Sequence, residues 1–411
     1  MLIESLVLET LAVKDHRVEW VERVEGNPGK LAVGLERRRN RKVVCSGCGR
    51  RLWVYDRLPV RVWHHIPFWG IAVDLLYRPC RVQCPKCGVK VEAIPWSNGK
   101  SVLTKPLIGL LAHFSKLLPL EVVAKLHGVS WAAVGSAVKQ AVAYGLAHRD
   151  LSGTLYLGVD EISRRKGHTY HTQIYDLESK KLLESMEDRK GESLEKFLNS
   201  LGEARLKEIR AVCCDMWDPY VEVIKRRLPH AILVFDKFHI IRHLLEAVNQ
   251  VRKEEAARLK SSNPELLKGS KYLFLKNPWN LTPKQAQRLG MLEKLNLKIN
   301  RAYVLKELFR WFYQYRLKGW ARRYLSKWFW WATHSRLKPI RDFAWLLRRH
   351  EQEILAWHDC KIDNGAVEAL NNVAKSISHR SFGFRTAKWF RTILLHCMGG
   401  LPAPEFTHKF F

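Results

Sequence analysis

Three carboxylates on separate segments are the side chains of this sequence best suited to chemistry. Two apolar runs, residues 155–159 and 209–214, each end on an aspartate, Asp160 and Asp215. Glu368 follows much later, on a helix-like stretch whose polar face carries no other acid. Hard divalent cations such as Mg²⁺ prefer carboxylate oxygens and keep water and substrate phosphates as further ligands. Three acids suffice to hold two such ions, so the sequence points to metal-assisted cleavage of a phosphodiester.

Each acid also has an ordinary structural explanation. An aspartate at the end of a strand is often a helix cap or a solvent-exposed group. If the first strand continues past Asp160, its pleat turns Glu161 to the opposite face, so only one of the two can point to a common centre. Helical spacing places Glu368 on one face with four polar residues, Asn364, Asn371, Lys375 and His379. A solvated helix face is the alternative there, and the metal hypothesis requires all three acids to meet.

Four cysteines form a second candidate metal site. Cys45 and Cys48 make one CxxC pair, and Cys84 and Cys87 make another. Four thiolates at this spacing favour a closed tetrahedral Zn²⁺ site in which a strand-rich segment separates the two pairs. Unmetallated buried thiols are the alternative, and Cys80 is interpreted as an additional thiol.

Composition indicates a basic protein that binds nucleic acid. The chain of 411 residues has 70 Lys and Arg against 40 Asp and Glu, which gives a formal charge of +30. Nucleic acid is the usual partner of such an excess, although a ribosome-type or membrane-surface protein is also basic. Nine cysteines, an odd number, indicate a reducing compartment. We find neither a signal peptide nor a long uncharged apolar run, so we expect a cytoplasmic, nucleoid-associated protein without a membrane span.

The elements that must position these groups change in character along the chain. Residues 1–100 contain short strands and the cysteines, which predicts a zinc-ribbon-like domain. Residues 101–150 have helical periodicity with a break at Gly128 and a cap at Ser130, which is the helix-turn-helix pattern. Its second helix carries the candidate DNA contacts Trp131, Ser136 and Lys139. An ordinary helical hairpin is the alternative.

The remaining segments predict a catalytic core with an insertion. Residues 151–240 read as three strands, helix, strand, helix and strand, the order of an RNase H-like α/β fold. Residues 241–360 read as a helical insertion rich in tryptophan, and residues 361–411 as the last part of the core. The tryptophans are most simply explained as a helical core, with stacking on flipped or single-stranded bases as the alternative. The predicted fold class is therefore multidomain α+β.

Several segments together resemble the DDE transposases of bacterial insertion sequences, specifically the ISL-three family. The similar segments are residues 45–96, 158–161, 214–217, 235–239, 364–372, 382–385 and 396–402. The resemblance implies that Asp160, Asp215 and Glu368 form a catalytic triad that binds Mg²⁺ or Mn²⁺. Asp236 and His239 match a family motif to which we assign no role.

The resemblance also implies an activity and partners. The protein would bind the terminal inverted repeats of its own element and cut and join DNA strands, with homodimers bridging two ends. Further candidate DNA contacts are Asn371, Lys375, Arg380 and Arg385. An inactive DNA-binding regulator derived from a transposase, or an RNase H-type nuclease, remains an alternative.

Overall fold

The structure, a computed structural model, describes residues 3–165, 169–362 and 365–404. The chain is a mixed α/β protein that divides into two compact units, Met1–Asp150 with Ser376–Phe411, and Leu151–Lys375. The boundary near residue 375 falls within the predicted last domain, 361–411. Asn364, placed by the sequence on the polar face of Glu368, lies outside the described residues. None of the described helices is long and apolar enough to cross a membrane.

The first unit begins with a sheet against which a short helix packs. Its strands run in the order β1-β2-β7-β6, with β2 and β7 parallel and the other pairs antiparallel. The elements up to residue 91 are α1 Ile3–Thr10, β1 His16–Val24, β2 Asn27–Arg37, β3 Val43–Val44, β4 Arg51–Leu52, β5 Asp56–Arg57, β6 Arg61–Phe68, β7 Ile71–Tyr77, β8 Cys80–Cys84 and β9 Gly88–Val91. The strands from β4 to β8 confirm the predicted strand-rich segment between the two cysteine pairs.

Four helices complete the first unit: α2 Lys105–Leu117, α3 Leu120–His127, α4 Trp131–His148 and α17 Ala387–Met398. The break between α3 and α4 forms as the sequence predicts. Gly128 ends α3 in the left-handed conformation at φ 60°, which glycine adopts without steric cost. Ser130 caps the start of α4, and its hydroxyl accepts a hydrogen bond from the Ala133 amide at 3.1 Å.

The second unit is built on a five-stranded sheet of order β12-β11-β10-β13-β14. Its elements through the last strand are β10 Tyr156–Arg165, β11 Thr169–Asp176, β12 Lys181–Glu187, α5 Gly191–Leu201, α6 Glu203–Leu206, β13 Ala211–Cys214, α7 Asp218–Arg227 and β14 Ile232–Phe235. Three strands form an antiparallel meander, and β13 and β14 extend the sheet in parallel beyond β10. The predicted strands and helices form in the predicted order, with the short helix α6 in addition.

A helical segment follows the last strand, as the sequence predicts. Its helices are α8 Lys237–Arg258, α9 Lys271–Leu275, α10 Pro283–Glu293, α11 Lys298–Arg310, α12 Lys318–His334, α13 Lys338–Arg349, α14 Glu351–Leu355 and α15 Trp357–Cys360. Short 3₁₀ turns lie at Leu259–Ser261, Pro278–Asn280 and Trp311–Gln314. The last helix of the unit, α16 Gly365–Arg380, continues across the unit boundary. One continuous apolar core joins the sheet to these helices, from Leu157 to Leu355.

The tryptophans of this segment only partly follow the simpler prediction of a helical core. Trp328 is completely buried, and its indole N–H donates to the Leu305 carbonyl at 2.8 Å. Trp357 is half-buried against the core, whereas six tryptophans are substantially exposed: Trp279, Trp311, Trp320, Trp330, Trp331 and Trp345. The helical period predicted these helices, but it did not show which side of each helix would be covered.

Candidate active site

Sheet register brings the two aspartates together. Gly158 of β10 pairs in parallel with Cys213 of β13, and this is the last pair between the two strands. Asp160 and Asp215 each lie two residues further along, so both carboxylates emerge at the same edge of the sheet. Strand β10 continues to Arg165, so Asp160 lies within a strand and not at its end. The buried apolar residues before each aspartate fix the strands against the core.

Helix α16 brings Glu368 to the same place. The three acids line one open cleft with about 1190 Å³ of empty space. The other residues that line it are Glu161, Tyr170, Arg189, Asp236, Phe238, His239, Arg242, Asn371, Asn372 and Lys375. Of the predicted DNA contacts, Asn371 and Lys375 therefore lie beside the acids.

A chain of hydrogen bonds holds Asp160. Its Oδ1 accepts from the Glu161 amide at 2.7 Å, and its Oδ2 accepts from Asn371 Nδ2 at 2.8 Å. Asn371 Oδ1 in turn accepts from the Tyr175 hydroxyl at 2.8 Å. Burial raises the pKa of Tyr175, so this hydroxyl stays protonated and donates. Asn371 is only 6% exposed and links strands β10 and β11 to the helix that carries Glu368.

His239 lies between the two aspartates. Its Nδ1 is 2.7 Å from Asp215 Oδ2, and its Nε2 is 4.0 Å from Asp160 Oδ1. Burial opposes a charged imidazole, but the hydrogen bond and the negative charge of Asp215 outweigh it and raise the pKa of His239. Burial likewise favours the neutral Asp215 carboxyl, yet the contact with His239 holds its pKa below the usual value. His239 and Asp215 therefore each favour the charged form of the other.

Asp160 and Asp215 differ in their electrostatic environment. Burial raises the pKa of Asp160, and the hydrogen bond from the Glu161 amide only partly offsets this effect. A carboxylate that is costly to keep charged gains most when a cation binds beside it.

Glu161, which the pleat was predicted to turn away, also lines the cleft, where Arg189 Nε lies 2.6 Å from its Oε1. The Arg189 guanidinium also lies 4.1 Å from the Trp217 ring centre.

The donor set of the cleft suits Mg²⁺ or Mn²⁺. All three acids offer oxygen atoms, the ligands that these ions prefer, and the open cleft leaves room for water and phosphate. Among the described residues, only the cysteine cluster has three or more ligand atoms within 4.8 Å of one another. The carboxylate oxygens of Asp160, Asp215 and Glu368 therefore do not all lie within this distance of one another. Two ions lie about 3.5–4 Å apart in two-metal sites, so a wider separation of the acids is compatible with such a pair.

The four predicted zinc ligands meet in the first unit. The Sγ atoms of Cys45, Cys48, Cys84 and Cys87 all lie within 4.8 Å of one another. Cys48 Sγ and Cys84 Sγ are 3.5 Å apart, too far for a disulfide and close to the roughly 3.8 Å between thiolates around tetrahedral Zn²⁺. Burial opposes the Cys84 thiolate, but the backbone amides of Lys86 and Cys87 lower its pKa to about 7. Cys80 is buried and does not belong to this cluster.

The remaining predicted DNA contacts lie in the first unit. Trp131 packs edge-on against Trp389 at 6.1 Å, and Lys139 Nζ lies 5.1 Å from the Trp389 ring centre. Ser136 is exposed and accepts a hydrogen bond from Gln140 at 3.3 Å. Arg380 donates to the carbonyls of Lys116 and Leu117, whereas Arg385 is exposed in the loop after α16.

Sequence reasoning did not predict several residues of the cleft. Arg189 and Tyr170 have no motif, and only the folding of the meander brings them to the site. The segment around Asp236 and His239 did carry a signal, because it matches the family motif. Asp236 caps helix α8, accepting from the Phe238 amide at 3.3 Å, and so fixes the turn that presents His239. Arg242 follows one helical turn later, 3.8 Å from Asp215 Oδ2.

Comparisons with known proteins place the chain in a family. A family model described as a transposase matches residues 157–394, more than half of the chain. The transposase for insertion sequence element IS1001 of Bordetella parapertussis is 28% identical over 380 residues, covering 91% of this chain and 92% of that protein. The transposase for insertion sequence element IS1557 of Mycobacterium tuberculosis is 28% identical over 412 residues, covering 93% of this chain and 92% of that protein. These matches confirm the resemblance seen in the sequence, and the chain belongs to the ISL-three family of DDE transposases.

Proposed function

We propose that this transposase cuts and joins DNA strands at the terminal inverted repeats of its own insertion sequence. In this proposal Asp160, Asp215 and Glu368 hold two Mg²⁺ or Mn²⁺ ions. The observation that carries it is the cleft itself, because acids from three separate segments line it together with basic side chains. No simple structural role explains why three such segments should converge on one open, polar cleft.

The bound ions would activate the attacking water or 3′-hydroxyl and stabilise the leaving oxygen. The residues of the chain supply orientation and charge. Asn371 fixes Asp160 through its amide, and the His239 imidazole lies between Asp160 and Asp215, 2.7 Å from the latter. Lys375 and Arg242 line the same cleft, where their positive charges would attract the phosphates of a DNA strand.

The sheet supports an RNase H-like assignment of the core. Strand order β12-β11-β10-β13-β14, with an antiparallel meander and two parallel strands, is the order expected for that fold. We therefore propose residues 151–240 and, of the predicted last segment 361–411, the part up to Lys375 as the core, with residues 241–360 as its helical insertion. The segments 1–100 and 101–150 are proposed as the zinc-binding and helix-turn-helix domains.

Recognition of the element ends is assigned to the first unit. Zn²⁺ held by Cys45, Cys48, Cys84 and Cys87 would be structural, since four thiolates leave no open coordination position. Helix α4 would enter a major groove and present Trp131, Ser136 and Lys139. Arg380, which donates to the Lys116 and Leu117 carbonyls, and Arg385, which is exposed in the loop after α16, are both proposed as phosphate contacts. Bridging two ends requires two such surfaces, so we propose a homodimer.

The test is cleavage of a labelled terminal repeat by the Asp160→Asn variant. We expect cleavage in Mg²⁺ to be lost while binding to the repeat is retained, because the substitution removes a charge and keeps the shape. Persistent cleavage by the variant would show that the triad is assigned wrongly. Wild-type protein that binds its ends but remains inert in Mg²⁺ and Mn²⁺ would indicate a regulator, and cleavage of RNA–DNA hybrids without strand joining would indicate a nuclease.

A further inference from the structure

One side of helix α12 consists of tryptophans and basic residues. At 3.6 residues per turn, six residues fall within an arc of about 100°. They are Trp320, Arg323, Lys327, Trp330, Trp331 and His334, and we call this surface the α12 face. The buried side of the helix is made of Ala321, Leu325, Trp328 and Ala332.

The indoles of the α12 face are open to solvent. Trp320 is 55% exposed, Trp330 59% and Trp331 37%. Trp328, two residues before Trp330, already fills the core and satisfies its indole N–H there. Packing of the helix therefore leaves a large part of all three indoles in solvent, and large apolar groups clustered on a surface usually mark a binding site.

Positive charge accompanies the rings. Residues 318–334 contain no aspartate or glutamate. The Arg323 guanidinium lies 5.0 Å from the Trp320 ring centre, and the His334 ring stacks on Trp330 at 4.5 Å with an interplanar angle of 25°. The α12 face thus alternates aromatic and cationic groups, the combination found where proteins bind single-stranded nucleic acid.

We propose that the α12 face binds unpaired DNA bases, which stack on Trp320, Trp330 and Trp331 while Arg323 and Lys327 contact the phosphates. This inference rests on the proposed function, since a transposase must handle strands that are opened or freed at the element ends. Trp320 and Trp331 are separated by about 16 Å along the helix axis, so they can hold different bases of one strand.

Charge favours DNA over the other possible occupants of this surface. A symmetric contact with a second copy would place Arg323 and Lys327 against their own counterparts, which repel. A duplex would use the basic residues but would leave the indoles without partners, because its bases are already stacked. Unpaired strands satisfy both the rings and the charges.

The experiment measures binding of a fluorescein-labelled oligothymidylate of about 20 nucleotides and of a duplex of equal length, in EDTA, by fluorescence anisotropy. We expect Trp331→Ala and Trp320→Ala each to weaken binding of the single strand by roughly 5- to 100-fold, with little change for the duplex. Trp331→Phe keeps a ring and should recover most of the affinity. Lys327→Gln should lower the salt dependence of single-strand binding, with the slope falling by about 0.7.

Trp345→Ala is the matched control. Trp345 is similarly exposed on α13, but it packs edge-on against Phe329, on the other side of α12. The Trp345→Ala variant should therefore bind the single strand and the duplex as the wild type does. Thermal unfolding of Trp320→Ala and Trp345→Ala should match the wild type, because more than half of each residue is exposed. Trp331 is less exposed, so Trp331→Phe, which keeps a ring, is the control for any loss of stability in Trp331→Ala.

Three results would overturn the proposal: unchanged single-strand affinity in both alanine variants, equal losses for single strand and duplex, or an equal loss in Trp345→Ala. A change in self-association without an effect on DNA would assign the face to a second copy instead. The assay contains no divalent cation, so it can fail while the Asp160→Asn cleavage test succeeds, and the two failures are distinguishable.

Discussion

Replacement of Asn371 by leucine tests whether this residue positions Asp160 or contacts DNA. Leucine has nearly the same volume but neither donates to Asp160 nor accepts from Tyr175. The variant loses a hydrogen bond to a charged group and leaves a buried tyrosine hydroxyl unpaired. The lost hydrogen bond to the Asp160 carboxylate costs about 1.5–3 kcal/mol, and the unpaired Tyr175 hydroxyl about 1–3 kcal/mol. Because the Asp160 carboxylate can still reach water in the cleft, we expect the free energy of unfolding to fall by roughly 2–4 kcal/mol in total.

The effect on activity follows from the same contacts. Residues that orient a metal ligand typically change metal affinity about 10- to 100-fold when they are removed. Asn371 also lies one helical turn from Glu368, so its loss frees the helix that carries the third acid. We therefore expect half-maximal cleavage of the labelled repeat by Asn371→Leu to require about 10 to 100 times more Mg²⁺. Tyr175→Phe, which breaks only the outer hydrogen bond, should give a smaller shift and cost about 1 kcal/mol.

The assays are urea unfolding, Mg²⁺ titration of cleavage, and binding to the repeat in EDTA. Asn199→Leu, the same substitution at an exposed position on α5, is the control and should leave all three unchanged. The reasoning would be refuted if Asn371→Leu weakened DNA binding in EDTA and kept the Mg²⁺ dependence of the wild type. That result would make Asn371 a DNA contact, as the sequence first suggested.

Other predictions concern the stability of each unit. Cys48→Ser, or removal of Zn²⁺ by a chelator, should lower the unfolding temperature of the first unit. Metal analysis of the wild type should find one Zn²⁺ per chain, and a metal-free protein of equal stability would contradict this prediction. Burial lowers the pKa of His16 to about 4, and neither ring nitrogen has a hydrogen-bond partner among the described residues. The folded protein keeps His16 neutral, so the free energy of unfolding is at its full value above pH 6.5 and falls by about 3 kcal/mol as the pH drops toward 4. Urea unfolding of His16→Phe should show a smaller pH dependence. Trp328→Ala removes a completely buried ring and should cost about 3–5 kcal/mol, whereas a value below 1 kcal/mol would show that the helical core is described wrongly.

The three acids of the cleft could be found from the sequence because apolar runs and helical spacing carry local information. Apolar runs before Asp160 and Asp215 predicted buried strands, and the parallel register of β10 and β13 then brings both residues to one edge. The cysteine pairs were recognisable for a similar reason, since a CxxC spacing is itself a geometric constraint. Helix boundaries such as the turn at Gly128 followed from backbone conformation.

Residues defined by tertiary contacts were not predictable in the same way. Asn371 has the type of a DNA contact, and only folding shows that Tyr175 and Asp160 engage both ends of its amide. The position of β10 beyond Asp160 also depends on pairing with β11, which the apolar run does not encode. Tryptophans of α12 look alike in sequence, yet one fills the core and three face solvent because packing selects one side of the helix.

The most direct test of the central claim is the position of Mn²⁺ in crystals of the protein bound to its terminal repeat. We predict anomalous peaks about 2.0–2.3 Å from carboxylate oxygens of Asp160, Asp215 and Glu368, next to a DNA phosphate. Peaks held by other residues, or a cleft with bound DNA and no Mn²⁺ at these three acids in a complex that still cuts, would contradict the account.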